Sequence, residues 1–166
     1  IGASTGGFTD LMLQCDISKV YAIDVGYGQL HYKLRLDPRV ISMEKVNAKT
    51  LNVNTLPEKV DIFTMDLSFI SVLSVLKSVD LILKINALGF ILIKPQFEAK
   101  ANEVEKGGIV TNQEIVNRCI DKVKTYTEKE LQWKNIDIIP SPILGPKGNQ
   151  EYVLVVRKVA YNISLI

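Results

Sequence analysis

The chain opens with Ile1-Gly2-Ala3-Ser4-Thr5-Gly6-Gly7-Phe8, and three glycines in so short a stretch point to a turn that lets backbone approach a ligand closely. An amphipathic helix is expected directly afterwards, with Phe8, Leu11, Met12 and Cys15 on its apolar side, so the turn joins a strand end to a helix start. Asp24 closes the next strand, 18 residues beyond Gly6, where a carboxylate can accept both hydroxyls of a ribose. Loop and acid together describe a site for an adenosine-type cofactor; a tight turn without a ligand is the plain alternative. A phosphate-binding loop needs lysine and a hydroxyl residue after its last glycine, and Gly7 is followed by Phe8. A dinucleotide fingerprint needs G-x-G-x-x-G, whereas Gly2, Ser4 and Gly7 give G-x-S-x-x-G and lack the middle glycine that admits a pyrophosphate. S-adenosylmethionine carries no phosphate. It needs room for an amino acid moiety and an acid for its ribose, and this loop is compatible with both.

The elements that must position these residues alternate. Residues 20–24, 40–44, 60–66, 90–94, 136–139 and 152–157 read as short strands rich in Val, Ile, Leu and Phe, several of them apolar almost throughout, as in a parallel sheet covered on both faces. Helical patterns lie between them. Over residues 114–129 the set Ile115, Val116, Cys119, Ile120, Val123 and Tyr126 makes one buried stripe; residues 70–83 are apolar more widely; residues 29–36 form a short helix stopped by Asp37-Pro38. Alternating strand and helix predicts an α/β doubly wound fold. The last two strands are joined by residues 141–150, which hold two prolines and two glycines and no helical pattern, so they are expected to be antiparallel. Residues 95–111 read as a long irregular loop. Asp66, Lys94 and Glu151 each fall at a strand end, and the carboxyl ends of parallel strands line the ligand crevice of such sheets.

Composition bounds the function classes. The chain has 166 residues, enough for one domain with its own core, and 47% hydrophobic against 23% charged residues excludes disorder. No apolar run reaches the roughly 18 residues of a membrane helix, and nothing resembles a signal peptide. The formal net charge of +2 is small for a dedicated nucleic-acid binder, so affinity for RNA would need local lysine patches or another domain. Cys15 and Cys119 are expected to be buried free thiols. His31, the single histidine, has no ligand cluster around it and is expected on a helix surface; Trp133 is expected in the core or at a sheet edge. Phe69 and Phe97 suit either packing or stacking on an unpaired base.

Five blocks occur in order: Gly2-Ala3-Ser4-Thr5-Gly6-Gly7-Phe8-Thr9-Asp10, Asp24-Val25-Gly26-Tyr27-Gly28-Gln29-Leu30, Asp66-Leu67-Ser68-Phe69-Ile70-Ser71, Lys94-Pro95-Gln96-Phe97-Glu98 and Gly145-Pro146-Lys147-Gly148-Asn149-Gln150-Glu151. Together they resemble the TlyA group, the hemolysin-like ribosomal RNA methyltransferases within the FtsJ-like ribose 2′-O-methyltransferases, over nearly the whole chain. The resemblance implies a Rossmann-like class I methyltransferase fold in one domain, residues 1–166. Its sheet is mostly parallel and seven-stranded with an antiparallel last strand, the first strand being truncated here. It implies S-adenosyl-L-methionine as cofactor, held by Gly2, Ala3, Ser4, Thr5, Gly6, Gly7 and Phe8, by Asp24 and Val25, by Asn47 near the adenine, and by Asp66. FtsJ-like relatives often carry aspartate where Asn47 stands. A Lys-Asp-Lys-Glu catalytic tetrad is also implied, and Asp66, Lys94 and Glu151 match its last three members.

The tetrad's first lysine and an S4-type RNA-binding domain are expected upstream of Ile1, so this chain alone is expected to bind cofactor yet transfer methyl poorly. The implied reaction is 2′-O-methylation of ribosomal RNA, with cytidine as target, a ribosomal subunit or its RNA as partner, no metal, no membrane and a cytoplasmic setting. Other readings are an NAD-dependent oxidoreductase, which the absent glycine at position 4 disfavours; a membrane-active hemolysin, for which no amphipathic membrane segment stands out; and an RNA-binding module with a vestigial catalytic fold.

Overall fold

A computed structural model describes residues 1–160; the last six residues of the expected 1–166 domain lie outside the described residues. The elements run α1 (Gly7–Gln14), β1 (Val20–Ile23), α2 (Tyr32–Arg35), β2 (Val40–Met43), β3 (Val60–Met65), α3 (Leu73–Leu81), β4 (Leu83–Ile93), α4 (Pro95–Glu98), α5 (Gln113–Lys129), β5 (Lys134–Pro140) and β6 (Tyr152–Arg157). The strands form a parallel pair, β1–β2, and a four-stranded sheet in the order β3-β4-β6-β5. β3 and β4 are parallel, and β6 is antiparallel to both neighbours, as the helix-free connection ahead of it predicts.

Ile1 joins the two sheets. It donates its N–H to the Thr64 carbonyl and accepts from Asp66 N–H at 3.0 Å, while Gly2 and Ala3 both donate to the Ile23 carbonyl. The strand order through Ile1 is therefore β2-β1-(Ile1)-β3-β4-β6-β5, a mostly parallel Rossmann-like sheet. Beneath that single tie, β1 and β3 flank a cavity of about 450 Å³, lined among others by Phe8, Met12, Tyr21, Ile62 and Phe63. It runs under the glycine loop rather than over the rim where the polar residues gather.

The core lies against β3, β4 and β6. Val75, Leu76 and Val79 of α3 and Val116, Ile120 and Val123 of α5 close over Ile91, Ile93, Leu154 and Val156. Side chains buried this completely contribute about 1.5–3 kcal/mol each. α5 forms where its apolar stripe predicts, and Asn112 starts it by accepting from Glu114 N–H at 2.8 Å. Thr127 joins the buried stripe because its hydroxyl has partners: Oγ1 lies 2.8 Å from both Lys124 O and Asn135 Oδ1, and its single proton goes to one of them.

Three expectations are corrected. β4 begins at Leu83, well before residue 90, because residues 84–87 bulge between the pairings Val60↔Leu83 and Ile62↔Leu88, with Asn86 turning at φ 69°. Residues 95–111 are not irregular: they hold α4, a 3₁₀ turn at Ala101–Glu103 and a bridge from Glu105 to Ile109. α1 buries Thr9 and Leu13, while Leu11 and Cys15 are exposed. Phe8 and Met12, on the cavity side, are half-buried, and Cys119 is the one buried thiol of the pair.

Candidate functional site

Gly2 sits at φ 73°, and a Cβ there would lie 2.1 Å from the Asp66 carbonyl oxygen. Conformation and close approach both require glycine, and the loop is thereby pressed onto the end of β3. Gly6, at φ 107°, lies against Leu30 and Leu34, and Thr5 O accepts from His31 N–H at 3.0 Å, so the segment around α2 buttresses the loop from behind. His31 itself is exposed and caps α2 through Nδ1. Gly7 faces open space as the first residue of α1.

Asp24 follows β1 and receives backbone donors from two sides: Ser4 N–H on Oδ2 at 2.8 Å and Gly26 N–H on Oδ1 at 2.7 Å. Each carboxylate oxygen keeps a lone pair, so a ribose diol has acceptors to meet. This donor and acceptor set fits the nucleoside of S-adenosylmethionine. Val25 beside it is 73% exposed and offers an apolar surface. Asn47 stands one residue after Val46, whose N–H donates to Asp24 O; its own Oδ1 caps the 3₁₀ turn Ala48–Thr50 by accepting from Lys49 N–H.

Asp66 and Lys94 end the adjacent strands β3 and β4. Lys94 Nζ meets Asp66 Oδ1 at 2.6 Å and donates to Ser68 Oγ at 3.1 Å. The lysine side chain is 11% exposed and the aspartate 37%. The pairing Ile93↔Tyr152 puts Glu151 next to Lys94 along the β4–β6 ladder, yet among the described residues Lys94 forms its ion pair with Asp66 only. Glu151 is buried, receives Gln96 Nε2 at 3.4 Å, and is hugged by Gly145, where a Cβ would come within 2.5 Å of Oε1. Asn149, also buried, clasps the neighbouring loop by accepting from Val110 N–H and donating to Gly108 O. Glu98 accepts from Ser71 Oγ and Val72 N–H; burial pushes its carboxyl above the ordinary glutamate value, and those two hydrogen bonds pull the other way.

The structure thus brings the glycine loop, Asp24 and Asp66 together through Gly2 and Ser4, and joins Asp66 to Lys94. Glu151 is placed beside them by register, and Asn47 is connected through backbone alone. Gln96, Glu98, Gly145 and Asn149 were not singled out from sequence. All four fall inside the motif blocks, whose strand-end residues drew the attention. Phe69 is 87% exposed at φ 68°, with its ring centroid 5.4 Å from that of Phe97, so this pair is a surface feature rather than core. Trp133 is core: it is buried, lies 5.7 Å from Phe63 and donates Nε1–H to Asp80. No cluster of potential metal ligands and no helix long and apolar enough to cross a membrane occurs among the described residues.

Sheet order and the antiparallel β6 are those of the class I methyltransferase architecture. A SAM-dependent O-methyltransferase from Thermotoga maritima shares the fold at TM-score 0.59 and 15% identity, over 96% of this chain and 58% of that one. The chain belongs to the FtsJ-like methyltransferase family, whose profile matches residues 1–158. It is 41% identical over 156 residues to the 16S/23S rRNA (cytidine-2′-O)-methyltransferase TlyA of Mycobacterium tuberculosis, covering 94% of this chain and 58% of that protein. It is 44% identical over 161 residues to Hemolysin A of Brachyspira hyodysenteriae, covering 92% of this chain and 64% of the relative. A solved protein from Streptococcus thermophilus, described as a candidate hemolysin, superposes at TM-score 0.91 with 38% identity, over 96% of this chain and 57% of that one. The chain therefore spans less than two thirds of the length of these relatives.

Proposed function

We propose that this protein transfers a methyl group from S-adenosylmethionine to a ribose 2′-hydroxyl of ribosomal RNA, with cytidine as the target nucleoside. The observation that carries the reading is the state of Lys94. An ammonium has three donors; Asp66 and Ser68 take two, and the third remains for an acceptor at the rim beside the glycine loop. We assign that third hydrogen bond to the target hydroxyl.

S-adenosylmethionine, when bound, supplies an electrophilic methyl group. Asp24 holds its ribose, the loop of Gly2, Ala3, Ser4, Thr5, Gly6, Gly7 and Phe8 receives the amino acid moiety, and Val25 and Asn47 flank the adenine. Asp66 orients Lys94. Lys94 holds the weak ribose nucleophile in place and stabilises the negative charge that develops on that oxygen as its proton passes to solvent at the open rim; the methyl's bond to sulfur breaks as its bond to oxygen forms, and S-adenosylhomocysteine leaves. Glu151, fixed by Gln96 and Gly145, completes the polar wall from the β6 side. Phe69 presents an exposed aromatic face next to these groups, suited to an unstacked base. The name of the TlyA relative supports ribosomal RNA as substrate, and a ribosomal substrate suits a cytoplasmic setting. Residues 1–166 are proposed to act as the methyltransferase domain together with an S4-type RNA-binding domain and the upstream tetrad lysine.

Ribosomal RNA incubated with methyl-labelled S-adenosylmethionine and the full-length protein, which carries residues 1–166 together with the upstream lysine and the S4-type domain, tests this. Label is expected at cytidine in linkages that resist alkaline cleavage, because a blocked 2′-oxygen cannot attack the neighbouring phosphate. Label on a base, or none, would overturn the assignment.

A further inference from the structure

Glu98 is 6% exposed and, among the described residues, forms no ion pair. A carboxylate buried without a cation is costly unless hydrogen bonds hold it. Its partners are Ser71 Oγ at 2.6 Å and Val72 N–H at 2.8 Å, at the entry to α3. Ser71 Oγ in turn accepts from Leu73 N–H, so the first turn of that helix hangs on Glu98.

Glu98 ends α4, the turn that begins directly after Lys94. The segment after β3 and the segment after β4 are therefore tied twice. Lys94 reaches across to Asp66 and Ser68; Glu98 reaches across to Ser71 and Val72. Phe69 lies between the two ties, at φ 68° and 87% exposed. A bulky residue in the left-handed region persists only where its surroundings hold it.

We infer that Glu98 is a positioning residue for methyl transfer: by holding Ser71 and Val72 it fixes the Phe69 turn, and with it the Asp66 and Ser68 acceptors that aim Lys94. The inference rests on the methyltransferase reading. It separates two roles for the acids of this rim, since Asp24 faces cofactor while Glu98 touches neither cofactor nor substrate and acts through the turn it holds.

The test compares Glu98→Ala, Glu98→Gln and Ser71→Ala in the protein that transfers methyl to RNA. It measures kcat, donor affinity by calorimetry, and amide exchange over residues 69–72. Glu98→Ala is expected to lower kcat about 30-fold, since small misplacements of reacting groups cost up to about 100-fold. Its donor Kd should stay within about 2-fold, and the Val72 amide should lose its protection. Glu98→Gln can accept from Val72 N–H and bond Ser71 Oγ, so it should recover most of the rate and the protection. Ser71→Ala leaves the buried carboxylate its Val72 N–H partner and should cost about 10-fold, the lower end for one hydrogen bond to a charged group; it keeps the test available where Glu98→Ala fails to fold. Unchanged kcat in Glu98→Ala, or kcat and donor affinity falling together, would overturn this inference alone. Absence of transfer by the unsubstituted full-length protein would overturn the proposed function, and this inference with it.

Discussion

Lys94 and Lys158 each follow the last residue of a strand, and each pairs with an aspartate: Lys94 with Asp66 at 2.6 Å, Lys158 with Asp80 at 2.9 Å. Because β6 runs against β4, the two pairs stand at opposite ends of the same ladder. At the Lys158 end the groups are enclosed. Its ammonium also donates to Asp80 O at 2.7 Å, Asp80 Oδ1 takes Trp133 Nε1–H as well, and the two side chains are 8% and 13% exposed. At the Lys94 end the aspartate is 37% exposed, an aromatic ring stands in solvent, and backbone at Gly2, Ser4, Gly6 and Phe69 adopts positive φ. Positive φ occurs at the other end too, at Asn86, whose N–H donates to Lys158 O, and at Gln132 next to Trp133, so what separates the two ends is exposure. An ion pair at a strand end is thus no mark of a site. What marks one is an open carboxylate with an exposed aromatic ring and the glycine loop beside it.

Substitutions can break that contrast. Lys94→Ala should lower methyl transfer by at least about 100-fold, the range for removing a group that acts on the reacting atoms, and leave donor binding intact. Single-turnover transfer and calorimetry read the two effects separately, and retained transfer would remove Lys94 from the mechanism. Lys158→Met should do the reverse. It strands Asp80 in the interior and should cost about 3 kcal/mol in denaturant unfolding, while transfer per folded molecule stays unchanged. Loss of activity beyond the loss of folded protein would show the two ends to be coupled.

Gly2→Ala should be smaller in stability and mixed in kind. It forces a side chain against Asp66 O at a left-handed position, for about 1–3 kcal/mol, and should weaken donor binding and transfer together. An alanine variant with unaltered kinetics would mean that the loop and the end of β3 move independently. The smallest effect is expected at Asp37, far from both pairs. Hydrogen bonds from Arg39 lower its pKa from 3.8 to about 2. A carboxyl whose folded pKa is depressed contributes stability above its unfolded value and loses it as pH falls toward the folded one. Unfolding midpoints measured between pH 5 and pH 2 should therefore drop less steeply for Asp37→Asn than for the unsubstituted chain, and equal slopes would contradict the assignment.

Much of this was legible in sequence because it is periodic or local. The stripe of α5, the apolar β3 and β6, the helix-free link before β6 and the glycine turn each follow from residue type and spacing. The early start of β4 was not legible, since residues 84–87 bulge out on a left-handed Asn86 that only the pairing with β3 explains. The burial of α1 was misjudged because its large Phe8 and Met12 border a cavity and stay half-buried, while Leu13 is buried and Leu11 and Cys15 turn outward. In the site, single residues at strand ends could be named, and their linkage could not. Gln96 reaching Glu151 and Glu98 reaching Ser71 span 55 and 27 residues of sequence, and no local pattern encodes such contacts.

The account turns on whether the rim built from the glycine loop and Asp24 takes the sulfonium donor. Calorimetric titration with S-adenosylmethionine, S-adenosylhomocysteine and NADH, repeated with Asp24→Ala, measures it directly. Saturable binding of the two sulfur compounds, no binding of NADH, and affinity lowered at least about 10-fold by Asp24→Ala are predicted, as expected for losing hydrogen bonds to a charged acceptor. Preference for NADH, or donor binding indifferent to Asp24, would contradict it.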